Sequence, residues 1–200
     1  MLELQSLQTD LIQAENLTVI AGERVMLQGP SGSGKTHLLR AIADLVPWQG
    51  SMFLDQHSSL DMSSPEWRQQ VMLVPADSHW WHHKVAEHFH SPETAPLKSV
   101  GLSEAILNRD PQQLSSGEKQ RLALLRALDR SPRVLLLDEP CANLDTDTTR
   151  LVEQLLTDWC HREQGHLIMT SHDPAQRDRL ADKHWRIDNG QVLESGELVT

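Results

Sequence analysis

Apolar and polar residues alternate loosely over Leu2–Leu7 and Leu11–Leu17, which predicts two short strands. Ala21-Gly22 follows as a turn, and Arg24–Gln28 (RVMLQ) is a compact apolar strand. The period changes over Thr36–Val46. There Leu38, Leu39, Ile42, Leu45 and Val46 recur at helical spacing, and Pro47 and Gly50 end the predicted helix. Ser51–Leu54 and Val71–Val74 read as strands, and Ser116–Arg130 as a clear helix. Val134–Leu137 is unbroken apolar sequence, the pattern of a strand buried on both faces, and Leu167–Ser171 is similar. Helices are predicted over Asp145–Arg162 and Pro174–Leu180. Trp185–Ile187 and Val192–Glu194, split by Asp188-Asn189-Gly190, form a closing hairpin. Strands alternating with helices predict an α/β fold whose mainly parallel sheet is covered on both faces.

One stretch breaks this rhythm. Asp77 to Pro111 holds His79, His82, His83, His88 and His90, five of the eleven histidines, with Pro92, Pro96 and Pro111. It is polar and lacks strand patterning, so a small helical insertion is expected. If residues 79–83 are helical, His79 and His83 stand at i, i+4 and could seat a transition metal. The adjacent Trp80 and Trp81 instead suit an interface. Both readings stand at this point.

Composition narrows the class. The chain has 200 residues, 18 Lys+Arg against 28 Asp+Glu, and a formal charge of −10. Hydrophobic residues make up 38% and charged residues 23%, which fits one sizeable folded domain and not a disordered chain. The negative charge argues against a general nucleic-acid binder, so no nucleic-acid partner is expected. Two cysteines, Cys141 and Cys160, make no disulfide framework and match no zinc spacing, which points to a reducing compartment. The first fifteen residues carry acids and glutamines and lack the basic start and apolar run of a signal peptide. No run approaches the ~18 apolar residues of a membrane span.

The chemistry concentrates in two places. Gly29-Pro30-Ser31-Gly32-Ser33-Gly34-Lys35-Thr36 fits G-x-x-x-x-G-K-[ST] between an apolar strand and an apolar helix. Glycines let several backbone N–H groups turn toward one anion, and the following helix adds its positive end. Lys35 then reaches the β- and γ-phosphates, and the Thr36 hydroxyl ligates Mg²⁺. Farther on, the strand Val134–Leu137 ends in Asp138 and Glu139. Carboxyl ends of parallel strands are where such sheets place ligands. Asp138 can hold Mg²⁺, and Glu139 can accept a proton from an attacking water.

Between the two lies Leu114-Ser115-Ser116-Gly117-Glu118, followed by Lys119-Gln120-Arg121. Here the sequence resembles the ATP-binding subunits of ABC transporters, whose signature LSGGQ opens a helix shortly before the Walker B strand. Pro140 to Asp145 (PCANLD) resembles that family's D-loop, and Thr170-Ser171-His172-Asp173 its switch-histidine loop. The five motifs occur in the family's order over nearly the whole chain. The resemblance implies a P-loop NTPase core with an antiparallel β edge and a helical subdomain at about residues 77–130, all within one domain over 1–200. It implies ATP and Mg²⁺ as cofactors and a homodimer formed head to tail around ATP. Ser115, Ser116, Gly117 and Glu118 would meet the partner subunit's ATP, with Asp145 in the D-loop. His172 would contact the γ-phosphate and help position Glu139. A separate transmembrane permease is the implied second partner, holding the subunit on the cytoplasmic face of the membrane.

Three departures accompany the likeness. Gln8–Gln13 lacks the family's adenine-stacking aromatic, and Val74-Pro75-Ala76 replaces the usual V-P-Q, with Asp77 one residue on. The stretch from that loop to the signature is short for the family. Two other classes compete: a soluble ABC ATPase outside transport, and a nucleotide sensor that does not hydrolyse.

Overall fold

The computed structural model describes residues 1–195; the last five of the expected 1–200 domain lie outside the described residues. Ten strands form one sheet: β1 Leu2–Gln8, β2 Gln13–Val19, β3 Arg24–Gln28, β4 Gln49–Leu54, β5 His57–Ser58, β6 Val71–Val74, β7 Val134–Leu137, β8 His166–Thr170, β9 Lys183–Asp188 and β10 Gln191–Ser195. Their order is β5-β4-β1-β2-β10-β9-β3-β8-β7-β6. The β9-β3-β8-β7-β6 half is parallel, with Met26 opposite Met169 and Leu135 opposite Leu167. The β5-β4-β1-β2 wing is antiparallel, as the resemblance implied.

Alternation along the central strands divides the core in two. Val134 and Leu136 face one hydrophobic cluster with Leu38, Leu39, Ile42 and Trp185, while Leu135 and Leu137 face the other with Leu122, Leu125 and Leu156. All four β7 side chains are fully buried, each contributing about 1.5–3 kcal/mol. Helix α1 (Lys35–Ile42) covers the first face, and α3 (Ser116–Leu128) and α4 (Thr146–Glu163) cover the second.

The first helix is shorter than its spacing predicted. It stops at Ile42 and not at Val46, because Asp44 adopts a left-handed conformation at φ 55°. The Asp44 carboxylate accepts the Trp48 indole N–H at 3.0 Å, and its carbonyl accepts the Arg68 Nε–H at 3.0 Å. Leu45 is consequently exposed. Helix α2 (Ser64–Gln70) and the short β5 escaped the pattern reading. A capping box of Ser63 and Glu66 starts α2, and its Trp67 is buried and donates to the Ile42 carbonyl at 2.9 Å. Helix α5 (Pro174–Leu180) and the β9–β10 hairpin form where expected, with Asn189 and Gly190 both at positive φ in the turn.

The insertion takes a tighter form than an α-helix. Residues 85–113 fold into five 3-10 turns, pinned to the core by Val85, Leu97, Val100 and Ile106. Prolines at 92, 96 and 111 remove amide donors, and Gly101 turns the chain at φ 70°, so no α-helical ladder extends before Ser116. Residues 79–83 are not helical, and the i, i+4 metal geometry of His79 and His83 does not arise. Among the described residues no three His, Cys, Asp or Glu side chains cluster as metal ligands. His88 is instead a buried structural group. Its Nε2 accepts the amides of Trp81 and His82 at 2.9 and 3.0 Å, and burial lowers its pKa.

Candidate nucleotide-binding and catalytic site

Strands β3, β7 and β8 run parallel, so their carboxyl ends open onto one edge. β3 leads into the loop Gly29–Thr36. β7 leads into Asp138 and Glu139, and β8 ends at Thr170, two residues before His172. The loop closes on itself: the Ser33 amide donates to the Pro30 carbonyl at 3.2 Å, and Lys35 Nζ donates to the Gly29 and Pro30 carbonyls at 2.9 and 3.0 Å. Gly34 sits at φ 99°, and a Cβ there would lie 2.8 Å from Ile12 Cδ1, so only glycine fits. Ser31 and Gly32 are exposed at the loop crest. A cleft beside the loop is lined by Leu11, Ser31, Gly32 and the Asp188–Gly190 turn.

Three side chains interlock at the strand ends. Thr36 Oγ1 donates to Asp138 Oδ2 at 2.7 Å, and Thr170 Oγ1 donates to Asp138 Oδ1 at 3.0 Å. Thr170 Oγ1 also accepts the Glu139 amide at 2.9 Å. Glu139 itself lies in the left-handed region at φ 52°, at a cost of about 1–2 kcal/mol. Strain of that kind persists where surrounding bonds enforce it, and it concentrates at functional sites. The exposed His172 brings Nε2 to 3.2 Å from Glu139 Oε1, a close approach without an aligned hydrogen bond. Sequence reasoning assigned no role to Thr170; its signal was a hydroxyl closing the apolar run LIM. Asp77 and Ala76 are exposed, and Asp77 makes no hydrogen bond to this group among the described residues.

The signature residues sit elsewhere. Ser115 caps α3, its Oγ accepting the Glu118 amide at 3.2 Å, while Glu118 Oε2 accepts the Ser115 amide at 2.8 Å. These bonds from Ser115 hold the Glu118 carboxyl below the usual range, with desolvation opposing them and Arg109 adding to them. Gly117 is buried where a Cβ would lie 3.0 Å from the Asn143 carbonyl oxygen, so the signature helix and D-loop touch through it. Ser116 is exposed, so within this chain there is room for a side chain at the position of the signature's first glycine. Asp145 caps α4, accepting the Asp147 and Thr148 amides at 3.0 and 2.9 Å. Among the described residues, Ser115–Glu118 make no hydrogen bond to Gly29–Thr36. Both cysteines are free, and burial pushes Cys141 to about 11 and Cys160 to about 12, so neither supplies a thiolate.

Comparison with known proteins supplies the frame for this geometry. The family described as ABC transporter matches residues 12–142. The chain belongs to this family. PhnT of Salmonella choleraesuis, named for 2-aminoethylphosphonate import, is 36% identical over 199 residues, covering 91% of this chain and 53% of its own length. The aliphatic sulfonates import ATP-binding protein SsuB 2 of Pseudomonas syringae pv. syringae is 35% identical over 191 residues, covering 92% of this chain and 66% of its own. The chain thus spans about half to two thirds of these relatives. Among solved structures, a dimeric post-hydrolysis state of the ATP-binding cassette MJ0796 bound to ADP and Pi superposes with a TM-score of 0.77 at 26% identity, covering 98% of both chains. The ABC ATPase fold, with its P-loop, parallel core and antiparallel wing, is therefore the architecture of this chain.

Proposed function

We propose that this chain is the ATP-binding and hydrolysing subunit of an ABC transporter, closing head to tail on a second copy around ATP. The carrying observation is the strand-end group, in which Glu139 and His172 stand 3.2 Å apart beside the Thr36–Asp138 pair. The loop Gly29–Thr36 would hold the phosphates, with Leu11 offering an aliphatic face to adenine in place of an aromatic. Thr36 and Asp138 present hard oxygen donors 2.7 Å apart, a set that suits Mg²⁺, which keeps waters and phosphate oxygens for its remaining positions. Bound Mg²⁺ would neutralise charge on the phosphates. Glu139 accepts the proton of the attacking water, and His172 holds its carboxylate in direction. Ser115 and the Gly117 amide, at the first turn of α3, would approach the second copy's γ-phosphate.

Among the described residues no helix is long and apolar enough to cross a membrane. The relatives are named for import of phosphonates, sulfonates, sulfate or Fe(3+) ions. That range supports an importer subunit held at the cytoplasmic face of a membrane by a separate permease, which selects the cargo. The deciding experiment is Glu139→Gln. It should retain ATP binding by calorimetry, lose at least ~10²-fold in turnover, and accumulate as an ATP-bound dimer in light scattering. Turnover near wild type would overturn the reading.

A further inference from the structure

Gln120 is the fifth residue of α3, two beyond the signature Leu114–Glu118. It lies on the inward stripe with Gly117, Leu124 and Ala127 and is 5% exposed. A polar amide at such a position carries a desolvation cost unless both its ends are paired. Only one end is. Nε2 donates to the Glu139 carbonyl oxygen at 2.7 Å, while Oε1 is buried without a partner among the described residues. Leucine or methionine would fill the same space without that cost. What distinguishes glutamine here is the N–H it presents to Glu139.

The receiving residue gives that bond its meaning. Glu139 is the left-handed residue at φ 52°, immediately before Pro140. Its N–H is held by the side-chain anchor Thr170 Oγ1 at 2.9 Å and its C=O by the side-chain anchor Gln120 Nε2 at 2.7 Å, with the local Ala142 N–H reaching the same oxygen at 3.3 Å. The peptide groups on both sides are thereby fixed in rotation, and with them the direction in which the carboxylate leaves the backbone toward His172. One of the two anchors belongs to the strand β8, the other to the helix that carries Ser115 and Gly117.

We infer that Gln120 is a positioning residue for Glu139, and that it ties the direction of the Glu139 carboxylate to the signature helix. A small rotation of α3 moves the Nε2 donor and so turns the Glu139–Pro140 peptide. The inference rests on the proposed role of Glu139 as general base.

The test compares Gln120→Leu with wild type. We expect kcat to fall about 10-fold, the scale of a modest misplacement of a reacting group, with KM for ATP within about two-fold. The melting temperature should change little, because removing the unpaired Oε1 offsets the lost bond to the Glu139 carbonyl, which the Ala142 N–H still reaches at 3.3 Å. If the leucine variant fails to fold, Gln120→Met, unbranched and equally without a donor, is read in the same way. The sharpest reading is a double-mutant cycle on single-turnover rates. If Gln120 acts through Glu139, adding Gln120→Leu to Glu139→Gln costs nothing further. Wild-type kcat in the folded single variant, or losses that multiply in the double variant, would overturn the inference. Undiminished turnover of Glu139→Gln would remove the base assignment itself. Loss in Glu139→Gln with none in Gln120→Leu would remove only the positioning role.

Discussion

The strand-end group and the signature corner both hold short polar motifs, yet different parts of the chain stabilise them. Around Asp138 and Glu139, the partners come from positions far apart in sequence: Thr36 after β3 and Thr170 at the end of β8 on Asp138, and Gln120 of α3 on the Glu139 carbonyl. Asp138 is buried, and its geometry depends on the register of three parallel strands. At the signature corner, the main bonds run between Ser115 and Glu118, three residues apart, on an exposed helix end. The first arrangement exists only when the sheet is complete. The second is a local capping motif that any helix of this sequence forms, and its energetic weight is correspondingly small. The exception is Gly117, whose close approach to Asn143 joins the corner to the rest of the molecule.

This contrast orders the expected responses. The largest belongs to Lys35→Ala at the loop. In the proposed role Lys35 would give the phosphates charge-assisted hydrogen bonds worth about 1.5–3 kcal/mol, so without it ATP affinity should fall about 10²-fold by calorimetry. Wild-type affinity would separate the loop from nucleotide binding and dissolve the distinction drawn above. Gly117→Ala comes next. Its methyl group would press on the Asn143 backbone at 3.0 Å, and overpacking of that kind costs about 1–3 kcal/mol. Chemical denaturation should register that loss. An unchanged midpoint would mean the corner is as independent of the core as its hydrogen bonds suggest.

The smallest effect is expected at Glu118. Its folded pKa is lowered, chiefly by the Ser115 amide, so the stability it contributes is present above its ordinary pKa of about 4.3. That contribution disappears as pH falls through the lowered folded value. Glu118→Gln should therefore flatten the acid limb of the stability profile while costing under about 1 kcal/mol near neutral pH, as for an exposed helix cap. A larger neutral-pH loss would show that the Arg109 contact at 3.2 Å supports more than the cap.

Much of the architecture was legible from periodicity. Val134–Leu137 reads as buried on both faces because its four apolar residues must all leave water, and each face of β7 does meet its own cluster. The phosphate loop was equally readable, since only glycine serves a backbone at φ 99° pressed against Ile12. The caps of α3 and α4 at Ser115 and Asp145 were not singled out by the pattern reading, although their bonds close within three residues. What periodicity could not reveal depended on distant partners. The early stop of α1 is set by Arg68 and Trp48 gripping Asp44, and the 3-10 turns of residues 85–113 by prolines together with scattered anchors in the core. The polar residues Thr170 and Gln120 look like interruptions of apolar stripes when seen along the chain. Local sequence determines which groups can bond; only the closing of the parallel sheet, with α3 laid against it, brings a threonine from β8 and a glutamine from α3 to the two sides of one strained glutamate.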